Sequence, residues 1–159
     1  MNKKALIFAF IGIFIALFLV KALINVQPVE IANTPDWQPI EAVANLAADQ
    51  DKLIFIDVFE VGCKYCRAMD REVFPDSTVK LVLESGYIPA KINGNSDEEV
   101  KFLGEIITEA ELAKKYGAYA FPSVIILDQE GNLIKKNTGF MGVDDLRRFL
   151  YKNEERTAS

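Results

Sequence analysis

The chain has 159 residues, half of them hydrophobic, with two cysteines, no histidine and a formal net charge of −5 at neutral pH. Three of the eighteen basic residues, Lys3, Lys4 and Lys21, fall in the first 26 positions, which leaves fifteen against 23 acidic side chains from Gln27 onward, a net charge of −8 with no basic block. That balance speaks against a nucleic-acid partner, and the absence of histidine removes the commonest protein ligand for metals.

In chain order, Lys3 and Lys4 precede an uninterrupted apolar run from Ala5 to Val20, followed by Lys21 and then Ala22 to Val26. Twenty residues, Ala5 to Ile24, with a single charge give a helix of about 30 Å, the thickness of a bilayer's hydrocarbon core. Residues 1–26 are therefore expected to form an N-terminal transmembrane signal-anchor, with Lys3 and Lys4 on the inner side and Lys21 reaching back to the interface. A cleavable signal peptide is the alternative, although such a segment has a shorter apolar region and Val20-Lys21-Ala22 is a poor cleavage site. On either reading the remainder is exported. It stays on the cytoplasmic (inner) membrane facing the periplasm or an equivalent extracytoplasmic space, or it is secreted after cleavage. Residues 27–36, with Pro28 and Pro35, read as a tether, and residues 37–159 are long enough for one ordinary domain.

Within that domain, Ile40, Val43, Ala44, Leu46 and Ala47 share a helical face, so a helix is expected from Pro39 to about Asp49. Lys52 to Phe59 reads as a strand apolar on both faces, which belongs in the middle of a covered sheet. A cysteine-bearing helix follows and is expected to end near Phe74-Pro75, with a further helix from Ser77 or Thr78 through Leu83. Tyr87 to Asn93 is a second strand. Gly94 to Glu105 is a polar loop or a small hairpin around Gly104. Thr108 with Glu111 forms a capping box for a helix from Glu109 to about Tyr116. Ser123–Leu127 and Leu133–Thr138 are strands joined through Asp128-Gln129-Glu130-Gly131-Asn132, which reads as a hairpin turn, and Val143–Tyr151 is a closing amphipathic helix. This order indicates an α/β sandwich with a mixed central sheet flanked by helices.

The two cysteines stand three apart in Gly62-Cys63-Lys64-Tyr65-Cys66, directly after the apolar strand. A zinc site needs about four ligands, and nothing resembling a second ligand pair is present. Haem attachment is excluded because Arg67 occupies the position that C-x-x-C-H gives to histidine. A bridge closing so small a loop stabilises weakly, so a purely structural disulfide is the poorer reading. Redox chemistry remains, beside a Cu(I) site made by the two soft thiolates. At the first turn of a helix the Cys63 sulfur meets unpaired backbone N–H groups that favour thiolate, with Lys64 adding positive charge, while Cys66 one turn deeper is shielded. Cys63 is then the nucleophile and Cys66 the resolving thiol. Asp57, buried in the strand, is costly unless paired or neutral, which suits a proton carrier with a raised pKa.

On these residues the chain resembles the thioredoxin superfamily over roughly Trp37 to Lys152. Cys63-Lys64-Tyr65-Cys66 falls at the family's active site, Asp57 at its buried acid, and Lys91 in Ala90-Lys91-Ile92-Asn93 at the lysine beside that acid. Phe121-Pro122 looks like the family's cis-proline position, and Gly139 like the glycine after the last strand. The segments Glu72–Val79, Thr108–Gly117 and Thr138–Met141 are most similar to periplasmic SoxW-type thioredoxins and to the C-terminal thioredoxin domain of DsbD. The resemblance implies a thioredoxin fold and a reducing thiol:disulfide oxidoreductase that needs no cofactor beyond its own Cys63-Cys66 disulfide. It further implies electrons from a membrane thiol transporter, disulfides of exported proteins as substrates, Lys64 and Lys91 as pKa modulators, and Gly62, Phe121, Pro122 and Gly139 as substrate-binding residues. The sequence departs from the pattern at Gly62, where an aromatic residue is common, and in the Lys64-Tyr65 dipeptide. An oxidase or isomerase of the same fold, and a non-catalytic adaptor or Cu(I) carrier, stand as alternatives.

Overall fold

The hydrophobic runs of the sequence resolve into one sheet covered on both faces. A computed structural model of the chain describes residues 3–24 and 33–151, and within 3–24 the side chains of residues 10–18, 20 and 21. By its contacts the chain divides into two units, Met1–Glu30 and Ile31–Ser159. In the first, α1 (Lys3–Ile24) is a 22-residue helix. Its described side chains are exposed, with Phe10, Phe14 and Phe18 at 69, 73 and 67%. Among the described residues no helix is long and apolar enough to cross a membrane. The anchor expected over 1–26 depends largely on side chains that lie outside the described residues, as do positions 27–32 of the tether.

In the second unit the elements run α2 (Ile40–Gln50), β1 (Leu53–Phe59), α3 (Lys64–Ala68), a π-helical turn (Met69–Val73), α4 (Ser77–Gly86), β2 (Tyr87–Asn93), β3 (Glu99–Phe102), β4 (Glu105–Thr108), α5 (Glu109–Lys115), β5 (Ser123–Leu127), β6 (Leu133–Thr138) and α6 (Val143–Tyr151). The main sheet has the order β2-β1-β5-β6. β1 runs parallel to β2 and antiparallel to β5, and β5 is antiparallel to β6. This is the thioredoxin fold, with the mixed sheet and flanking helices expected from the sequence. The polar stretch after β2 resolves as the hairpin β3-β4, turning at Leu103 and Gly104, whose φ values of 51° and 85° are both left-handed, as a two-residue hairpin turn demands.

Strand alternation sorts the core into two layers. Ile54, Ile56 and Val58 of β1, with Ile125 and Leu127 of β5, face α2 and α5. Phe55 of β1, with Val124 and Ile126 of β5, faces the opposite side, where Met69, Phe74, Leu83, Leu146 and Leu150 pack. Asp57 has the parity of Phe55, and Lys91 of β2 has the parity of Tyr87, so both point to the layer that carries the cysteine helix. The helical stretch over the cysteines ends at Phe74, near where it was expected, but only Lys64–Ala68 of it is α-helical. After Ala68 it widens into the π turn, where Phe74 N–H bonds to Met69 O at 2.9 Å, a feature that recurs beside functional sites.

Gly94, just past β2, is buried, and its N–H donates to Phe59 O at 2.8 Å. A Cβ at this position would overlap the Phe121 ring. Gly94→Ala is therefore expected to push that ring outward and to destabilise the domain by about 1–3 kcal/mol, the range for overpacking, read as a lower urea midpoint at unchanged m-value.

Candidate active site

β1 ends at Phe59, and the chain turns through Glu60 to Gly62 before α3. Cys63 N–H donates to Glu60 O at 3.2 Å, and Gly62 takes φ = 89°, a left-handed conformation that a side chain would strain. Gly62 is exposed, and open space lies above it. Cys63 is the N-cap of α3. Its sulfur accepts from Cys66 N–H at 3.1 Å, so the helix end supplies a donor to the reactive atom. Cys63 and Cys66 are joined as a disulfide with Cα atoms 5.4 Å apart. Cys63 is half-buried, whereas Cys66 is only 4% exposed. Of the two sulfur-bearing residues, Cys63 is therefore the one open to solvent.

Below this pair lies a charged cluster. Asp57 is 2% exposed, and its Oδ2 stands 3.3 Å from Lys91 Nζ across the parallel β1-β2 register. Asp57 Oδ1 is buried without a hydrogen-bond partner among the described residues. The same ammonium pairs with Asp70 Oδ1, from the π turn. Three rings surround it: Trp37 at 4.7 Å, Phe74 at 5.1 Å and Phe59 at 5.9 Å from centroid to nitrogen. Burial raises the Asp57 pKa from 3.8 to about 6; Lys91 opposes that rise and the neighbouring Asp70 adds to it. A carboxyl poised there exchanges a proton near neutrality.

Other elements meet at the same end of the sheet. β5 is antiparallel to β1 and pairs Ser123 with Val58, which sets the residues before β5 beside the end of β1. The Phe121-Pro122 peptide bond is cis, and Pro122 is buried. Gly139, with φ = 102°, donates its N–H to Pro122 O at 2.8 Å and so ties the segment after β6 to this loop. The Phe121 ring turns into the core against Gly94 and Val58, while the Phe121 backbone is unbonded among the described residues. Lys64 is exposed and makes no ion pair among the described residues.

The structure thus brings Asp57 and Lys91 into contact, places Cys63 over Cys66, and joins Pro122 to Gly139. The sequence reading missed Asp70 and Trp37. Asp70 carried a signal, since it stands four residues after Cys66 along the helical stretch; Trp37 lies before the first helix and carried none. Among the described residues no group of three or more acidic or sulfur ligands could hold a metal ion.

A family model for the thioredoxin-like domain matches residues 40–153. The thiol:disulfide interchange protein DsbD of Yersinia pestis is 30% identical over 130 residues, which cover 80% of this chain and 18% of that protein. The chain thus spans less than a fifth of the length of the curated relatives it matches. Among solved structures, a thioredoxin from Thermus thermophilus matches with a TM-score of 0.64 at 19% identity, over 79% of this chain and 91% of that one. The oxidised C-terminal domain of DsbD from Neisseria meningitidis matches with a TM-score of 0.52 at 19% identity, over 72% and 89% of the two chains. At such identities the two structures speak to the fold.

The raised Asp57 pKa has a stability consequence. Between about pH 4 and pH 6 the folded protein binds a proton that the unfolded chain has released, so stability falls as pH rises through this window, and the deficit is complete above it. The shift corresponds to about 3 kcal/mol as an upper bound. Asp57→Asn is expected to stabilise the protein at pH 7 by up to that amount and to give no gain below about pH 4. Urea titrations of both proteins at the two pH values check this; an equal gain at both would show that Asp57 is not the group that titrates.

Proposed function

The chain belongs to the thioredoxin-like domain family, and on that premise we propose that it is an envelope-facing thiol:disulfide oxidoreductase, held at the membrane by residues 1–26, that reduces disulfides of exported proteins. The observation that carries this reading is the unequal burial of the two sulfurs on one helix end, Cys63 half-buried and Cys66 beneath it. A metal carrier has no need of that asymmetry, whereas two-step exchange does.

In the reduced protein the Cys63 thiolate attacks one sulfur of a client disulfide. A Cys63–client bond forms, and the other client sulfur leaves as a thiolate and takes up a proton. Asp57 accepts the proton of Cys66, whose thiolate attacks the Cys63 sulfur and expels the second client sulfur. That sulfur leaves as a thiolate and takes the proton from Asp57; two electrons and one proton have then passed from the enzyme to the client, whose first thiolate drew its proton from solvent, and the enzyme holds the Cys63–Cys66 disulfide. A dithiol on a membrane thiol transporter returns it to the reduced state. The Cys66 N–H aimed at the Cys63 sulfur supports the nucleophile, and the unpartnered Asp57 Oδ1 supports the proton carrier. Lys91 holds Asp57 and limits its rise in pKa. Lys64, exposed beside Cys63, adds positive charge near the thiolate. Gly62, the Phe121 backbone, Pro122 and Gly139 form the floor on which the client strand lies. The exposed rings of α1 support the anchor, since a row of unburied phenylalanines on a long helix calls for an apolar medium.

Cys63→Ser is expected to abolish turnover, and Cys66→Ser to accumulate mixed disulfides visible on non-reducing gels. Full activity of Cys63→Ser would end the assignment. The direction of electron flow is read from the reduction potential of the pair. A value near −270 mV fits a reductase supplied from the membrane, whereas one near −120 mV makes the protein an oxidant.

A further inference from the structure

The segment before α2 is tied along the edge of the main sheet at two points. Asn33 Nδ2 donates to Pro75 O at 2.7 Å. Gln38 makes a single parallel bridge to Ala90, and its N–H donates to Pro89 O at 2.8 Å. Trp37 lies between these ties, beside the stretch of β2 that carries Lys91. Its ring centroid is 4.7 Å from Lys91 Nζ, and the ring meets Phe74 edge-on at 5.1 Å and Phe55 at 6.2 Å. The indole is thus fixed by both its backbone and its packing.

The ammonium beneath it stands between two carboxylates of unlike exposure. Among the described residues, the charged groups that face Lys91 Nζ are Asp57 Oδ2 of β1, at 3.3 Å, and Asp70 Oδ1 of the π turn. The Asp57 side chain is 3% exposed and that of Asp70 34%. Asp70 therefore draws the ammonium toward water, and a lysine stem is flexible enough to follow. The ion pairs alone do not keep Lys91 turned inward. An indole face does, since it attracts a cation more strongly than any other aromatic side chain. The rings of Phe74 and Phe59 lie farther off, at 5.1 and 5.9 Å.

We propose that Trp37 is a positioning residue: its ring holds the Lys91 ammonium inward against Asp57 and so sets how readily Asp57 gives and takes its proton. Without the ring the ammonium follows Asp70 outward, and Asp57, still buried, keeps its proton more tightly. The bearing on catalysis rests on the exchange reading above. An Asp57 that stays protonated at neutral pH cannot accept the proton of Cys66, so release of a mixed disulfide slows at pH 7 and recovers as pH rises.

The test titrates the Asp57 carboxyl by carbon-13 NMR in the full chain in detergent, oxidised so that neither cysteine ionises. Trp37→Leu is expected to raise the midpoint by about one pH unit, the size of a cation–π contact expressed as proton affinity. Trp37→Phe, which keeps a weaker ring, should lie between that variant and the wild type. In a Lys91→Met protein, Trp37→Leu should add nothing, because no ammonium is left to hold. A midpoint unchanged or lowered in Trp37→Leu, or an equal rise with and without Lys91, overturns the proposal. Should Trp37→Leu fail to fold, Trp37→Phe decides, and a midpoint no higher than the wild type's overturns it. Release of a mixed disulfide, followed against pH in the same variants, tests the other reading separately. Midpoints that rise while release keeps its wild-type pH profile support the role of Trp37 and remove Asp57 from the exchange.

Discussion

A carboxyl group in the central strand of a covered sheet has to be neutralised, paired or protonated, since an unpaired buried charge costs several kcal/mol. Asp57 meets that constraint only in part. Its one cation, Lys91, is shared with Asp70 and sits among Trp37, Phe59 and Phe74, while one of its oxygens has no partner. A second lysine, or a donor to Oδ1, would hold Asp57 as a permanent anion. Without Lys91 its pKa would lie higher still. The arrangement leaves it between those limits, where proton exchange is accessible.

The geometry around this cluster follows from strand parity. Because Asp57 and Lys91 point to the face that carries Phe55 and Tyr87, they meet the layer containing Met69 and Phe74, which the cysteine helix and its π turn build. A one-residue slip of β1 would send Asp57 into the layer of Ile54 and Ile56 and expose the strand's apolar set to the wrong neighbours. The register that secures the core thus also places the acid on the side of Cys66. The π turn then brings Asp70 to the same lysine, so a local irregularity of the helix contributes directly to the electrostatics of the site.

Much of this was legible in the sequence because it rests on short-range rules. β2, β5, β6 and α6 lie where alternation, helical spacing and turn residues put them, and the Thr108-Glu111 capping box forms with bonds of 3.2 and 3.0 Å. The Cys63-Cys66 pair is carried by local spacing alone. What was not legible depends on contacts between distant segments. The Trp37 ring over Lys91 joins positions 54 apart, and the Tyr65–Phe140 contact joins positions 75 apart. No local periodicity encodes either. The position of the Phe121 ring shows the same limit: the sequence reading gave the Phe121 backbone to the client groove, and only the fold shows the ring turned into the core against Gly94 and Val58.

The costs at this end of the sheet differ in kind from those elsewhere in the domain. A buried carboxyl with one oxygen unpartnered among the described residues, a left-handed turn at Gly62 and two solvated aromatic rings are none of them needed to close the core. Away from the site, local preferences and packing largely agree: the N-caps of α4 and α5 are satisfied, both layers of the sheet are filled, and the β3-β4 hairpin turns through residues that adopt the required conformation, although Arg147 Nε in α6 is also buried without a hydrogen-bond partner among the described residues and Asp51 takes φ = 52°. Departures from structural consistency that gather in one place mark where a fold has been shaped by something other than stability. Several of them lie at the end of the sheet that carries the half-buried Cys63. The buried acid, its shared lysine and the cysteine helix meet at this end of the sheet, and the register that packs the core is what brings them together.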